Sequence, residues 1–277
     1  MPTNIPADIT ELISFCLKED IGSGDITAEL IPVEKTITAK LISRDRGIFC
    51  GRPWADEVFK QVDSTLATEW QIEEGGSLSP DQTLAHIVGS ARSILSAERT
   101  ALNILQTLSA AATTSNYYAS LVAHTSVKLL DTRKTLPSLR SAQKYAVLIG
   151  GCFNHRMGLF DAFLIKENHI AACGGIEAAI VKAKSLYPQI PVEIEVQNLD
   201  ELDEAISSHA DIVMLDNFER GDVVKAVEMN SGRVKLEASG GIDADGLVSI
   251  AETGVDYISL GALTKNCQAI DLSLLIE

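Results

Sequence analysis

The chain has 277 residues, 46% hydrophobic and 22% charged, with a formal net charge of −15. This is the composition of a folded globular protein, and its acidity argues against nucleic acid or an anionic membrane as a partner. No apolar run approaches the roughly 20 residues needed to span a bilayer, the N-terminus lacks the basic start and apolar core of a signal peptide, and the five scattered cysteines form no CxxC pair, so the expected setting is a reducing cytoplasm.

In chain order, Ile9, Leu12, Ile13, Phe15, Cys16 and Leu17 give a helical pattern over residues 9–18 that stops in a glycine-containing loop. Asp20 and Asp25 there read as turn formers more than as metal ligands. Residues 35–50 alternate, break at Arg44-Asp45-Arg46-Gly47 and resume, which predicts a hairpin; 53–62 predicts a short helix and 83–88 a strand. The first eighty or so residues thus read as an α+β unit with largely antiparallel strands. Residues 90–108 predict the clearest helix, with Ser90 as its N-cap and an apolar arc at Ile94, Leu95, Ala101, Leu102, Leu105 and Leu108. Glu98 falls inside that arc and Arg99 at its edge. Either both snorkel to water, or Arg99 reaches an anion across a domain or subunit boundary.

From residue 127 onward six short apolar runs each end in a polar or glycine-rich tip. They lead into Asp131-Thr132-Arg133-Lys134, Lys166-Glu167-Asn168, Glu195, Asp216-Asn217, Ser239-Gly240-Gly241 and Gly261-Ala262, with helical stretches between most of them. Strand and helix alternating at this spacing predict a parallel (β/α) barrel whose active face collects the tips.

Residues 131–170 carry six basic side chains, Arg133, Lys134, Arg140, Lys144, Arg156 and Lys166, inside an otherwise acidic chain, which suggests a site for a small, multiply charged anion. Arg140 and Lys144 read equally well as solvated positions. Arg133, Arg156 and Lys166 suit carboxylates, and His155 could donate a hydrogen bond to the same anion. Glu195 and Asp216 suit sugar hydroxyls, Mg²⁺ through water, or salt bridges to the lysines. The loops at Ser239, Gly240, Gly241 and at Leu260, Gly261, Ala262 follow the last two strands, where barrel enzymes hold phosphate on backbone N–H groups.

The chain closely resembles the quinolinate phosphoribosyltransferases along nearly its whole length. The resemblance is carried by EDIGSGDIT from Glu19, GIFCGRPW from Gly47, LSAERTALNILQ from Leu95, DTRKTLP from Asp131 and KYAVLIGG from Lys144. It continues through NHRMGLFDAFLIKENHI from Asn154, VEIEVQN from Val192, VMLDN from Val213, ASGGI from Ala238 and YISLGALT from Tyr257. There are two departures from the pattern: Ser138 stands where glycine is usual, and Cys152-Phe153 replaces a more glycine-like pair. The resemblance implies an α/β fold in which an N-terminal α/β-sandwich domain, 1–108, is joined by the C-terminal tail, 263–277, and an open, seven-stranded (β/α) barrel fills 109–262. It implies transfer of phosphoribose from 5-phosphoribosyl 1-pyrophosphate to quinolinate with decarboxylation, Mg²⁺ entering with the pyrophosphate and no organic cofactor. It also implies a homodimer, or a hexamer built from dimers, in which Arg99 enters the neighbouring subunit's site. By the same resemblance Arg99, Arg133, His155, Arg156 and Lys166 hold the quinolinate carboxylates, and Thr132 and Lys134 line the junction with the second substrate. Glu195 and Asp216 bind ribose or Mg²⁺, the Ser239 and Gly261 loops take the 5-phosphate, and Lys166, Glu195 and Asp216 form the catalytic set. The alternatives are a paralogue with another pyridine carboxylate as substrate and an inactive metabolite-binding protein; loss of Glu195, Asp216 or the phosphate loops would mark the latter, and all are present.

Overall fold

A computed structural model describes residues 5–277, which form two compact units. The first runs to Asn116 and takes in Thr135–Gly151 and Leu263–Glu277; the second comprises Tyr117–Lys134 and Cys152–Ala262.

The first unit opens with α1 (Ile9–Ile21), which buries Ile9, Leu12, Ile13 and Leu17 and stops at Gly22, in the left-handed region at φ 56°. Asp25 then accepts the N–H groups of Thr27 and Ala28, both at 3.0 Å, as the turn former expected. Next come β1 (Thr36–Ser43), β2 (Gly47–Ile48), α2 (Arg52–Val62), β3 (Ala67–Trp70), β4 (Ser77–Leu78) and β5 (Thr83–Ser90). Glu74 caps α2 from a distance, accepting from the N–H groups of Gly51 (2.7 Å) and Arg52 (3.1 Å) where the helix exposes its unpaired donors. The hairpin expected over 35–50 is not formed: β1 pairs with β5, and β2 pairs with β4. The corner after β1 is held instead by a distant segment, the Arg44 N–H donating to Asp271 O and the Asp271 N–H to Asp45, each at 2.8 Å. The helix expected at 90–108 continues well past Leu108 as α3 (Ala91–Leu121), 31 residues long.

The second unit begins with β6 (Lys128–Leu130). The chain then returns to the first unit for α4 (Arg140–Ile149), which places Ala142, Tyr145 and Ala146 in that unit's core, the Tyr145 ring edge-on to Trp54 at 5.1 Å. Residues 135–151 therefore do not belong with the barrel, as an uninterrupted 109–262 domain would have them. Five further strands follow: β7 (Phe163–Ile165), β8 (Val192–Val196), β9 (Ile212–Asp216), β10 (Lys235–Ser239) and β11 (Tyr257–Ser259). Between them run α5 (Glu167–Cys173), α6 (Ile176–Leu186), α7 (Leu199–Ser207), α8 (Arg220–Asn230) and α9 (Ala244–Ala251). Asn198 caps α7 through the Glu201 N–H (2.9 Å) and Asp243 caps α9 through the Gly246 N–H (3.0 Å). The parallel sheet has the order β6-β11-β10-β9-β8-β7. Among the described residues the seventh strand is a single parallel bridge, Phe153 beside Leu130.

After α10 (Ala262–Lys265) the chain ends in β12 (Leu272–Ile276), which lies antiparallel to β1 with Ser43 opposite Leu272 and Ala39 opposite Ile276. The first unit's sheet is thus β12-β1-β5-β3, with the tail as its edge strand.

Candidate active site

The parallel register sets the C-terminal strand ends of the second unit in line: Ile165 opposite Ile194, Val196 opposite Leu215, Asp216 opposite Ser239, and Ser259 opposite Leu130. The residue that follows each strand therefore emerges at one end of the sheet.

At the β6 end Asp131 is fully buried. Its carboxylate accepts from the Asn154 side-chain amide (2.6 Å) and from the His155 N–H (2.9 Å), tying residues 153–156 to the strand end. This brings Arg156 near Arg133: burial first, and then the Arg133 charge, disfavour the Arg156 cation. An arginine stays charged regardless, so two neighbouring guanidiniums make a site that an anion relieves. Arg156 is aimed by a 3.3 Å hydrogen bond from Nη1 to Ala162 O, and Asp161 closes the intervening turn on the N–H groups of Met157 (2.7 Å) and Gly158 (3.0 Å). Asp131 and Asp161 thus each accept main-chain N–H groups, and Asp131 a side-chain amide as well.

Lys166 leaves β7 and its ammonium is paired with the Glu195 carboxylate at the end of β8. Asp216, ending β9, accepts from the Asn217 side chain at 2.9 Å. Asn217 takes φ 57° and donates its N–H to Ser239 O at 2.9 Å, which draws the β10 loop close. Only glycine fits at 240: with φ 101°, a Cβ there would lie 2.2 Å from Asn217 Oδ1 and 2.8 Å from its main-chain nitrogen. At the β11 end the Lys134 side chain lies over Gly261, where a Cβ would meet its Cδ at 3.0 Å and Thr132 Oγ1 at 3.8 Å. Thr132 Oγ1 accepts from the Lys134 N–H at 3.0 Å. A lysine folded over a glycine backbone is suited to phosphate.

The structure thus brings Thr132, Arg133, Lys134, Arg156, Lys166, Glu195, Asp216, Ser239, Gly240, Gly241, Leu260, Gly261 and Ala262 to the strand ends of one unit. Arg99 is exposed on α3, and Arg140 and Lys144 lie on α4, Lys144 fully buried; all three belong to the first unit. His155 departs from its expected role. Its Nε2 is 2.9 Å from Glu193 Oε2 and 3.7 Å from Glu237 Oε2, and its Nδ1 accepts the Arg156 N–H at 2.7 Å, so both ring nitrogens are engaged within the protein rather than offered to an anion. Asp131, Glu193 and Glu237 were not read as site residues from sequence. The signal for Glu193 was its parity with Glu195 in Val-Glu-Ile-Glu-Val, which sends both side chains to one face of the strand.

Among the described residues, His155, Glu193 and Glu237 are the group of acids and imidazole close enough to share a cation. Glu195 and Asp216 are two carboxylates without a third such partner, a donor set that suits Mg²⁺ completing its shell with substrate phosphate and water.

Residues 25–109 match the family model for the quinolinate phosphoribosyl transferase N-terminal domain, and residues 111–275 that for its C-terminal domain. The chain belongs to the quinolinate phosphoribosyltransferase family. A Bacillus subtilis relative named probable nicotinate-nucleotide pyrophosphorylase (carboxylating) is 38% identical over 267 residues, covering 96% of this chain and 92% of that one. A Mycobacterium leprae relative of the same activity name is 38% identical over 273 residues, covering 95% of each. Among solved family structures, the Francisella tularensis nicotinate-nucleotide pyrophosphorylase superposes with a TM-score of 0.95 at 50% identity, over 99% of this chain and 98% of its own. Human nicotinic acid phosphoribosyltransferase, at 12% identity and a TM-score of 0.65 over 100% of this chain and 74% of its own, shares the fold.

Proposed function

We propose that the chain transfers the phosphoribosyl group of 5-phosphoribosyl 1-pyrophosphate to quinolinate with decarboxylation, giving nicotinate mononucleotide, CO₂ and pyrophosphate, the step that supplies the pyridine nucleotide in de novo NAD biosynthesis. The observation that carries this reading is the pair of neighbouring guanidiniums, Arg133 and Arg156, in the same unit and among the same strand-end loops as a Lys166–Glu195 ion pair. Two arginines and a lysine suit two carboxylates on one planar ring.

In this reading the Lys134–Gly261 contact and the Gly240–Gly241 loop hold the 5-phosphate. Glu195 and Asp216 face the ribose and hold Mg²⁺ directly or through water; when bound with the pyrophosphate, the cation neutralises the charge of the leaving group. As the bond from C1 to the pyrophosphate oxygen breaks, positive charge grows on the ribose, and the two carboxylates stabilise it while the pyridine nitrogen forms the new bond to C1. The resulting pyridinium accepts the electron pair released when the C2 carboxylate leaves as CO₂, and a proton then replaces it on C2. Lys166 is the candidate donor. No covalent enzyme intermediate is required; the residues orient and place charge.

The assembly fits a homodimer, or a hexamer of dimers, in the cytoplasm, with Arg99 of one subunit completing the carboxylate site of its neighbour. Supporting this, Arg99 is exposed, and Ile26, Leu30 and Val33 of the same unit are 81%, 83% and 71% exposed, a grouping of large apolar side chains typical of a surface that another protein covers.

The test is an assay of purified protein with quinolinate, 5-phosphoribosyl 1-pyrophosphate and Mg²⁺, following nicotinate mononucleotide and CO₂, with nicotinate as a parallel substrate. Product from quinolinate alone is expected. Equal use of nicotinate would show that the basic pair does not select the second carboxylate, and binding without turnover would favour a metabolite-binding protein.

A further inference from the structure

Inside the second unit, below the strand ends, lie two acids that the reaction above does not use. Glu193 is 4% and Glu237 1% exposed, each with one carboxyl oxygen, Oε1, lacking a hydrogen-bond partner. Their ligating atoms and the His155 ring nitrogen lie within 4.8 Å of one another. Buried carboxyls at this spacing cannot both hold a full charge cheaply. Burial first, and then the Glu193 charge, push the Glu237 carboxyl up to about 8, while the His155 ring and the Ser259 hydroxyl oppose that rise. Glu237 is therefore mostly protonated at neutral pH, and its O–H directed at Glu193 satisfies a lone pair that otherwise has no donor.

The direction of the remaining hydrogen bonds follows. His155 Nδ1 accepts the Arg156 N–H, so the ring proton sits on Nε2 and is donated to Glu193. The chain of contacts runs from Ser259 through Glu237, Glu193 and the His155 ring to the main chain of Arg156, whose guanidinium stands beside Arg133. Asp131 grips the same segment from its other side through the His155 N–H.

We propose that Glu193 and Glu237 are positioning residues, a hydrogen-bonded carboxyl pair that fixes the orientation and tautomer of His155 and thereby aims Arg156 at the anion. The proposal rests on the reading of Arg156 as a quinolinate ligand and assigns to His155 a supporting role in place of direct contact.

Two experiments test it on the full chain. The first is ¹⁵N NMR of histidine-labelled protein, which has five histidines, with the His155 signal assigned by its loss in His155→Gln. The Nε2–H tautomer is expected, held between pH of about 6 and 7.5, where a free imidazole titrates near 6.5. A ring that titrates freely, or carries its proton on Nδ1, overturns the proposal. The second is steady-state kinetics. Glu193→Leu is expected to raise the KM for quinolinate about tenfold or more while the KM for 5-phosphoribosyl 1-pyrophosphate stays within about threefold. Glu237→Gln, whose amide N–H replaces the acid O–H, is expected to hold both within about threefold. Equal rises in both KM values, or none in Glu193→Leu, overturn it; should that variant fail to fold, the wild-type spectrum decides. If the wild-type protein turns over no quinolinate, the functional reading fails while the spectrum still tests the network.

Discussion

At the scale of single residues, the site is a set of basic side chains held by short loops at the strand ends. Asp131 and Asp161 accept hydrogen bonds from their own loop, and Arg156 sits close enough to Arg133 for the two charges to repel. Truncating either basic partner should therefore remove anion binding without touching the core. Arg133→Ala and Lys166→Ala are expected to lose turnover by about a hundredfold or more, with an unchanged thermal melt, since both side chains are exposed. Near-normal activity in either variant would remove that residue from the site. Gly240→Ala should behave in the opposite way: a Cβ 2.2 Å from Asn217 Oδ1 on a left-handed backbone costs about 2–4 kcal/mol, read as a lower denaturant midpoint together with weaker binding of the phosphorylated substrate. The basic tips were legible because a strand end followed by Arg or Lys signals its own exposure. Glu193 and Glu237 were not, because an acid buried inside a barrel strand looks in sequence like one on its solvent face. The surroundings of His155 are hidden for a related reason, since its neighbour in sequence is Arg156 but its ring faces residues 38 and 82 positions away.

At the scale of elements, local pattern succeeded where one stretch decides its own structure. The six barrel strands, and α6 and α7 with their apolar faces, lie where periodicity put them. It failed where the partner is remote. The alternation over 35–50 is real, yet β1 pairs with β5 and with the C-terminal β12, and no turn signal near Arg44 can reveal that. In α4 the basic Arg140 and Lys144 mask an apolar face, and Ala142, Tyr145 and Ala146 pack into the core of the first unit. The loop leading into α4 holds a further test. Ser138 sits at φ 62°, the left-handed region where a side chain is strained. Ser138→Gly is expected to gain about 0.5–1 kcal/mol, the relieved strain exceeding the added freedom of the unfolded chain. Chemical denaturation would show the gain as a higher midpoint at constant slope, and a loss would mean that Ser138 contributes more than its backbone angle suggests.

At the scale of the whole molecule, the buried acid pair should leave a mark on stability. Glu237 rises from an ordinary 4.5 to about 8 in the folded state, facing Glu193, His155 and Ser259. Between those two values the folded chain keeps a proton that the unfolded chain releases, so this group makes stability fall as pH rises through that window. Glu237→Gln removes the slope. Its melting temperature relative to wild type should thus be higher at a pH of about 8.5 than at about 5.5, and a difference that does not change with pH would place the proton elsewhere. The closing of the first sheet has a consequence of another kind. Arg44, at the end of β1, bonds to Ser273 of β12, 229 positions later. At the roughly 5–20 residues per second of protein synthesis, β1 waits on the order of ten seconds or more on the ribosome with one edge unpaired, while the entire barrel is being made. Lys40, in the middle of that edge and opposite Leu275 once β12 arrives, keeps a charge on the waiting strand and so guards a nascent chain against pairing with its neighbours on the same message.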